Sequence, residues 1–264
     1  MVKEGHDMRI VIKIGTSTLA HENGSLNIRR VEHLCKVISD LKNAGNEIIM
    51  VSSGAIGMGA GKLKIAKLSD IPTKQAAAAV GQCELMYVYD KLFSEYNHTV
   101  AQMLLTGSDF SHQDRRKNFE NTLAKLLKYG VLPIINENDT VATEEISVGD
   151  NDTLAAMVAK SANGDVLILM SDIDGLYTAD PRKSKNAELI KLVEKIDGRI
   201  MALGGGKGTS LGTGGMKTKL QAAKICMGAG CDVIILNGKN PDILYDFIEG
   251  KNPGTLFKAV AKTK

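Results

Sequence analysis

The chain has 264 residues, of which 44% are hydrophobic and 24% charged, an ordinary balance for a globular protein of one large domain or two small ones. A formal net charge of +3, an aromatic content of 4% and the lack of any tryptophan argue against a nucleic-acid-binding surface. No stretch approaches the ~18 consecutive apolar residues of a membrane span, and the N-terminal MVKEGHD has no apolar core for a signal peptide, so a cytoplasmic protein without a membrane role is expected.

Residues 8–14 (MRIVIKI) are apolar and rich in β-branched side chains, which predicts a buried strand. A loop, GTSTLAHENGS, follows it. Asn27 then precedes a helix whose apolar face is Val31, Leu34, Ile38 and Leu41, at spacings of three and four, and Gly45 ends it. Residues 47–51 (EIIMV) predict a second strand, followed by a small-residue turn, SSGAIGMGAG. An alanine-rich helix is expected over 72–94 and a strand over 99–105. A helix over 114–129 buries Phe119, Leu123, Leu126 and Leu127, and strand 131–135 follows. The polar connection NENDTVATEEISVGDND leads into a helix beginning near Asp152. Strand 165–170, the loop SDIDGLYTADPR, a glycine-rich loop, helix 216–228, strand 232–236 and a helix over 241–249 complete the chain. Strands that are apolar throughout, alternating with amphipathic helices, predict an α/β fold with a mainly parallel sheet covered on both faces. In such sheets ligands bind beyond the carboxyl ends of the strands, where the polar and glycine-rich loops collect.

The four cysteines, Cys35, Cys83, Cys226 and Cys231, form no CxxC pair and accompany no histidine cluster, so free buried thiols are expected rather than a zinc site. The richest local signal is GGGKGTSLGTGG over 204–215, seven glycines in twelve residues, running into Met216-Lys217-Thr218-Lys219 and a helix. A glycine-rich loop at a helix N-terminus offers unhindered N–H groups at the positive end of the helix dipole, which suits a phosphate. The spacings GxxxxGK[ST], GxGxxG and HRDLxxxN are all absent, which excludes a P-loop, a dinucleotide Rossmann site and a protein kinase.

Scattered polar residues remain. Lys13 stands in an apolar strand, where an ammonium is costly unless it reaches a polar site or escapes to water at the strand end. Lys219 lies one turn into a helix, against the favoured dipole sign; a nearby anion explains it, and so does simple exposure. The segments Asn136 to Asp139 and Asp150 to Asp152 crowd acids and amides that could bind a metal, hold an ammonium or, at Asp150 or Asn151, cap the next helix. Ser52-Ser53-Gly54-Ala55 suits an anion nest, a tight helix start, or both.

Taken together, VIKIGTS (11–17), VSSGAIGMG (51–59), INENDTVAT (135–143), VGDND (148–152), SDIDGLYTADPR (171–182) and GTGGMKTK (212–219) resemble the amino acid kinase family over nearly the whole chain and in the family's order. SDIDGLYTADPR is a family-wide signal. VSSGAIGMG, INENDTVAT and GTGGMKTK together point to the members that phosphorylate glutamate. The resemblance implies a three-layer αβα sandwich, residues 1–264 forming one domain around a mainly parallel sheet of about eight strands. It implies ATP-dependent phosphorylation of the γ-carboxylate of L-glutamate, the first step of proline biosynthesis. Glutamate loops fall mainly in the first 155 residues and ATP loops mainly in 165–225. Because the chain stops at Lys264 just after PGTLF, the short form without a C-terminal PUA domain is expected.

The same resemblance assigns roles. Lys13 and Lys219 act on the transferring phosphoryl group, with Asp152 holding both ammonium heads. Ser53, Gly54, Asp139 and Asn151 match glutamate-binding positions, Asp139 as partner of the substrate ammonium with help from Asn136. Gly15, Ser171, Asp172, Tyr177 and the run Thr213, Gly214, Gly215, Met216, Lys217, Thr218 and Lys219 match nucleotide contacts, Lys217 as a variable neighbour rather than a catalyst. Mg²⁺ is expected on the ATP phosphates, without a metal site of the protein's own. Feedback inhibition by proline, acting through the 139–148 stretch, and a homo-oligomer are further implications. The rival readings are relatives acting on acetylglutamate, aspartate, carbamate or UMP, and a non-catalytic amino-acid sensor. A sensor is expected to have lost one of Lys13, Lys219 and Asp152, all of which are present.

Overall fold

A computed structural model describes residues 8–21, 25–142, 151–205 and 215–260. Eight strands form one sheet: β1 (Arg9–Ile14), β2 (Glu47–Val51), β3 (Val100–Leu105), β4 (Leu132–Glu137), β5 (Val166–Ser171), β6 (Leu192–Val193), β7 (Asp232–Asn237) and β8 (Thr255–Phe257). Their order is β3-β4-β2-β1-β5-β7-β8-β6. All neighbouring pairs are parallel except β7 with β8. The chain therefore winds outward from β1 in both directions, through β2 and β4 on one side and β5 and β7 on the other. This is the topological switch point at which α/β sheets bind ligands.

The side-chain period of two sends alternate strand residues into two separate cores. Ile10, Ile12 and Ile14 of β1 join Ile48, Met50, Ile168 and Met170 beneath helices Ile28–Asn43, Ile71–Ser94 and Ile243–Ile248. Val11 instead joins Ile49, Val51, Leu167 and Leu169 beneath helices Gln113–Lys128, Asp152–Ser161 and Met216–Gly228. These two cores, with the sheet between them, are the three expected layers.

The long elements agree closely with the pattern in the sequence. Asn27 caps its helix by accepting from Arg30 N at 3.1 Å, and Val31, Leu34, Ile38 and Leu41 are all buried. In helix Gln113–Lys128, Phe119 and Leu123 are buried, Leu126 is half-buried, and Leu127 packs half-buried against the core. The expected turn SSGAIGMGAG is a correction: Ala55–Leu63 is a helix. Its small residues are there for close packing rather than for turning. A Cβ on Gly59 would lie 1.7 Å from Ala77 O, and one on Gly81 would lie 1.8 Å from Ala55 O, so these helices touch backbone to backbone. The short helix Thr16–Leu19 stands where a loop was expected, and helix Gly107–Ser111, β6, β8 and helix Gly198–Ala202 occupy segments without a clear pattern. The thiols need correcting too. Cys35, Cys226 and Cys231 are buried, but Cys83 sits on the outer side of its helix and is exposed.

The close contact gives a direct expectation. Gly81→Ala should destabilise the fold by about 1–3 kcal/mol, the usual cost of overpacking a tight site, visible as a lower denaturation midpoint. A variant as stable as the parent would mean that the two helices part freely.

Candidate active site

In β1 the alternation that buries Val11 also turns Lys13 toward helix Asp152–Ser161. Lys13 is only 6% exposed, which removes the option of a strand-end lysine in water. Its Nζ lies 2.8 Å from Asp152 Oδ1. Lys219, 5% exposed, places Nζ 3.0 Å from Asp152 Oδ2, so it is no surface lysine either. Thr218 Oγ1 lies 3.0 Å from that same Oδ2 and 2.8 Å from Gly215 O, and its one hydrogen serves both acceptors. Asp152 is completely buried at the first position of its helix, where the dipole favours a carboxylate. Burial pushes its pKa up, but the ammonium groups of Lys13 and Lys219 outweigh that and hold it well below the usual carboxylate range. One carboxylate thus joins two cations from opposite ends of the chain at the switch point of the sheet.

On the β2 and β4 side, Ser53 and Gly54 follow β2, and Gly54 has φ +94°, a left-handed conformation that suits glycine. No side-chain hydrogen bond caps the helix that starts there. Asn136, at the end of β4, is buried; its Nδ2 donates to Gln82 Oε1 at 2.8 Å, and its Oδ1 accepts from Glu137 N at 2.9 Å. Asn151 occupies the cap position before Asp152, yet its side chain does not cap the helix. Its Nδ2 donates instead to Asn136 Oδ1 at 2.7 Å and to Ser52 O at 2.5 Å. Asp139 lies half-buried in the turn after β4. Asp150 and the stretch 143–150, including most of the segment connected with proline, lie outside the described residues. No cluster of three or more His, Cys, Asp or Glu side chains suited to a metal occurs among the described residues.

On the β5 and β7 side a cleft of about 590 Å³ opens, the size of a small-molecule site. Ser171, Asp172 and Tyr177 line it, with Gly215, Met216 and Lys219 at its inner end. Lys217 is exposed and, like Thr218, is not in the cleft wall; Thr218 turns to Asp152 instead. Thr213 and Gly214 lie outside the described residues. Gly15, directly after β1, precedes the short helix Thr16–Leu19. Asp174, Asn237 and Lys239 also line the cleft and were not singled out from sequence, though Asn237 ends a strand and the strand-end rule could have found it. Asp174 accepts from Asn237 Nδ2 at 2.7 Å and from Tyr177 OH at 2.9 Å. Gln82 was missed as well, since a glutamine in an alanine-rich helix carries no local signal.

The model of the amino acid kinase family matches residues 8–237. The chain belongs to the amino acid kinase family. It is 54% identical over 252 residues to a glutamate 5-kinase of Clostridium tetani, covering 95% of this chain and 94% of the relative. It is 52% identical over 251 residues to a glutamate 5-kinase of Caldanaerobacter subterraneus subsp. tengcongensis, covering 95% of this chain and 68% of the longer relative. Two solved structures share the fold at 16% identity. Carbamate kinase from Giardia lamblia bound to AMP-PNP has a TM-score of 0.69, and UMP kinase from Ureaplasma parvum has 0.67; each match covers 96% of this chain and 99% of the other.

Proposed function

We propose that the chain transfers the γ-phosphoryl group of MgATP to the γ-carboxylate of L-glutamate, giving ADP and L-glutamyl 5-phosphate. The observation that carries this reading is the buried Lys13–Asp152–Lys219 constellation at the centre of the sheet. It lies between an amide-rich set of loops on β2 and β4 and the cleft on β5 and β7. Relatives at 50–54% identity carry the name glutamate 5-kinase, which supports the choice of acceptor.

The acceptor needs no general base, because a glutamate side chain with an ordinary pKa of about 4.3 is already ionised at neutral pH. Both reactants are anions, so the tasks are charge neutralisation and in-line alignment. One ammonium about 4 Å from a unit charge is worth roughly 4 kcal/mol at an effective dielectric near 20. Only the part that grows toward the transition state accelerates the step. Lys13 and Lys219 supply that charge, while Asp152 fixes their heads. Magnesium bound to the nucleotide phosphates would add further charge neutralisation. The glutamate ammonium falls to Asp139, and the β5 and β7 cleft takes the nucleotide.

An assay with ATP and a panel of glutamate, acetylglutamate, aspartate, carbamate and UMP tests the proposal. With hydroxylamine present, glutamate should yield the γ-hydroxamate that traps the acyl phosphate. ADP release with another acceptor but not with glutamate would sink it. Asp139→Ala should raise the glutamate KM about 10- to 100-fold, as for a lost charge-assisted hydrogen bond, with kcat little changed. A selective rise in the ATP KM would move Asp139 to the nucleotide.

A further inference from the structure

The amide network beside the site has a fixed polarity. At one end Glu137 N is a donor, so the atom of Asn136 facing it is Oδ1. At the other end Ser52 O is an acceptor, so the atom of Asn151 facing it is Nδ2. Between them Asn151 Nδ2 donates to Asn136 Oδ1. Both hydrogens of Asn151 Nδ2 are therefore engaged, and its carbonyl oxygen is the end left to offer. Asn136 Nδ2 in turn points at Gln82 Oε1. Gln82 is 8% exposed, and its Nε2 is buried with no acceptor among the described residues. A buried unsatisfied amide donor is costly, so holding Gln82 there for packing alone is unfavourable.

Helix Ile71–Ser94 grips the same loops twice. Seven residues beyond Gln82 and on the same helix face, Tyr89 OH lies 3.0 Å from Ser52 Oγ, with both residues fully buried. The backbone contact of Gly81 with Ala55 brings this face close to the loop after β2.

We propose that Gln82 is a positioning residue for the amino-acid substrate: by accepting from Asn136 Nδ2 it steadies the amide relay whose sense Glu137 N and Ser52 O set, so that Asn151 holds its carbonyl oxygen toward the substrate ammonium. This rests on the glutamate reading of the site and adds a residue that touches no reacting atom. Loss of the Gln82 oxygen leaves Asn136 Nδ2 without its acceptor and Asn136 held through its oxygen alone, which loosens the seat of Asn151 and the aim of its carbonyl oxygen without reversing the relay.

The test is steady-state kinetics with glutamate and ATP varied separately, on the full chain. Gln82→Met, similar in size but without the acceptor, should raise the glutamate KM about tenfold, as for one lost hydrogen bond, with ATP KM and kcat within about twofold. Gln82→Glu keeps an oxygen toward Asn136 and should recover most of that loss. Combining Gln82→Met with Asn151→Ala should add little to Asn151→Ala alone, because the two residues act as one unit. An unchanged glutamate KM in Gln82→Met, no recovery in Gln82→Glu, or full additivity in the double variant overturns the proposal. Gln82→Ala is the substitute if the methionine variant does not fold. A parent chain that forms no γ-hydroxamate overturns the glutamate reading, and this proposal with it; a parent that forms it alongside an indifferent Gln82→Met overturns this proposal only.

Discussion

Lys219→Ala is expected to lower kcat by about 10²–10³, with the glutamate KM within about threefold of the parent. The size follows from the site. Lys219 Nζ is buried and fixed by Asp152 at 3.0 Å, so its charge acts in a medium far less screening than water. A loss of about 3–4 kcal/mol of transition-state stabilisation corresponds to that change in rate. Lys219→Arg should rescue little, because a planar guanidinium neither fits the space of an ammonium nor meets one Oδ2 in the same way. Single-turnover measurements at saturating ATP separate the chemical step from product release. An unchanged kcat in the alanine variant removes Lys219 from catalysis.

Asp152→Asn should cost both rate and stability. The substitution keeps the shape but leaves two buried ammonium groups facing a neutral amide. Breaking a buried pair by neutralising one partner typically costs about 3–5 kcal/mol, so the denaturation midpoint should fall sharply. Activity should fall by at least as much as in Lys219→Ala, since both lysine heads lose their anchor. The pH dependence has a definite sign. The folded pKa of Asp152 lies below its unfolded value of about 3.9, so its contribution to stability is complete above that value and is lost as pH falls through the folded pKa. The stability gap between parent and Asp152→Asn should therefore stay constant from about pH 6 to 9 and close only in strong acid. Over that same neutral range Asp152 should add no acid limb to the pH–rate profile. A gap that closes near neutrality would contradict the buried, doubly paired carboxylate.

The strands of the central sheet were legible because β1, β2, β5 and β7 are apolar on both faces, and a parallel sheet between two helical layers requires that. Lys13 was legible for the opposite reason, as the one charged side chain inside such a strand. Other features were hidden by physics that is not local. Asn151 has the residue type of a helix cap and stands at the cap position, yet its partner, Ser52, lies 99 residues away. Helix Ala55–Leu63 reads as a turn because closely spaced glycines usually break helices, whereas here their lack of bulk allows two backbones to touch. Strands β6 and β8 have two and three residues, too few to show a period. Asp152 emerged from the family resemblance, since one aspartate among several in a polar connection has no distinguishing spacing.

The alternation along β1 also bears on how the chain finds its native pairing. A strand of isoleucines and valines could pair with β2 and β5 one residue out of place at little cost, because both faces of the sheet are apolar. Lys13 forbids that. A one-residue slip would carry its ammonium to the opposite face, among Ile10, Ile12 and Ile14's present neighbours, where the core is hydrocarbon and Asp152 is on the wrong side of the sheet. The penalty for burying a charge in such surroundings is several kcal/mol. The lysine placed for phosphoryl transfer is thus also the register key of the central strand, and replacing it should make misaligned sheets easier to populate during folding.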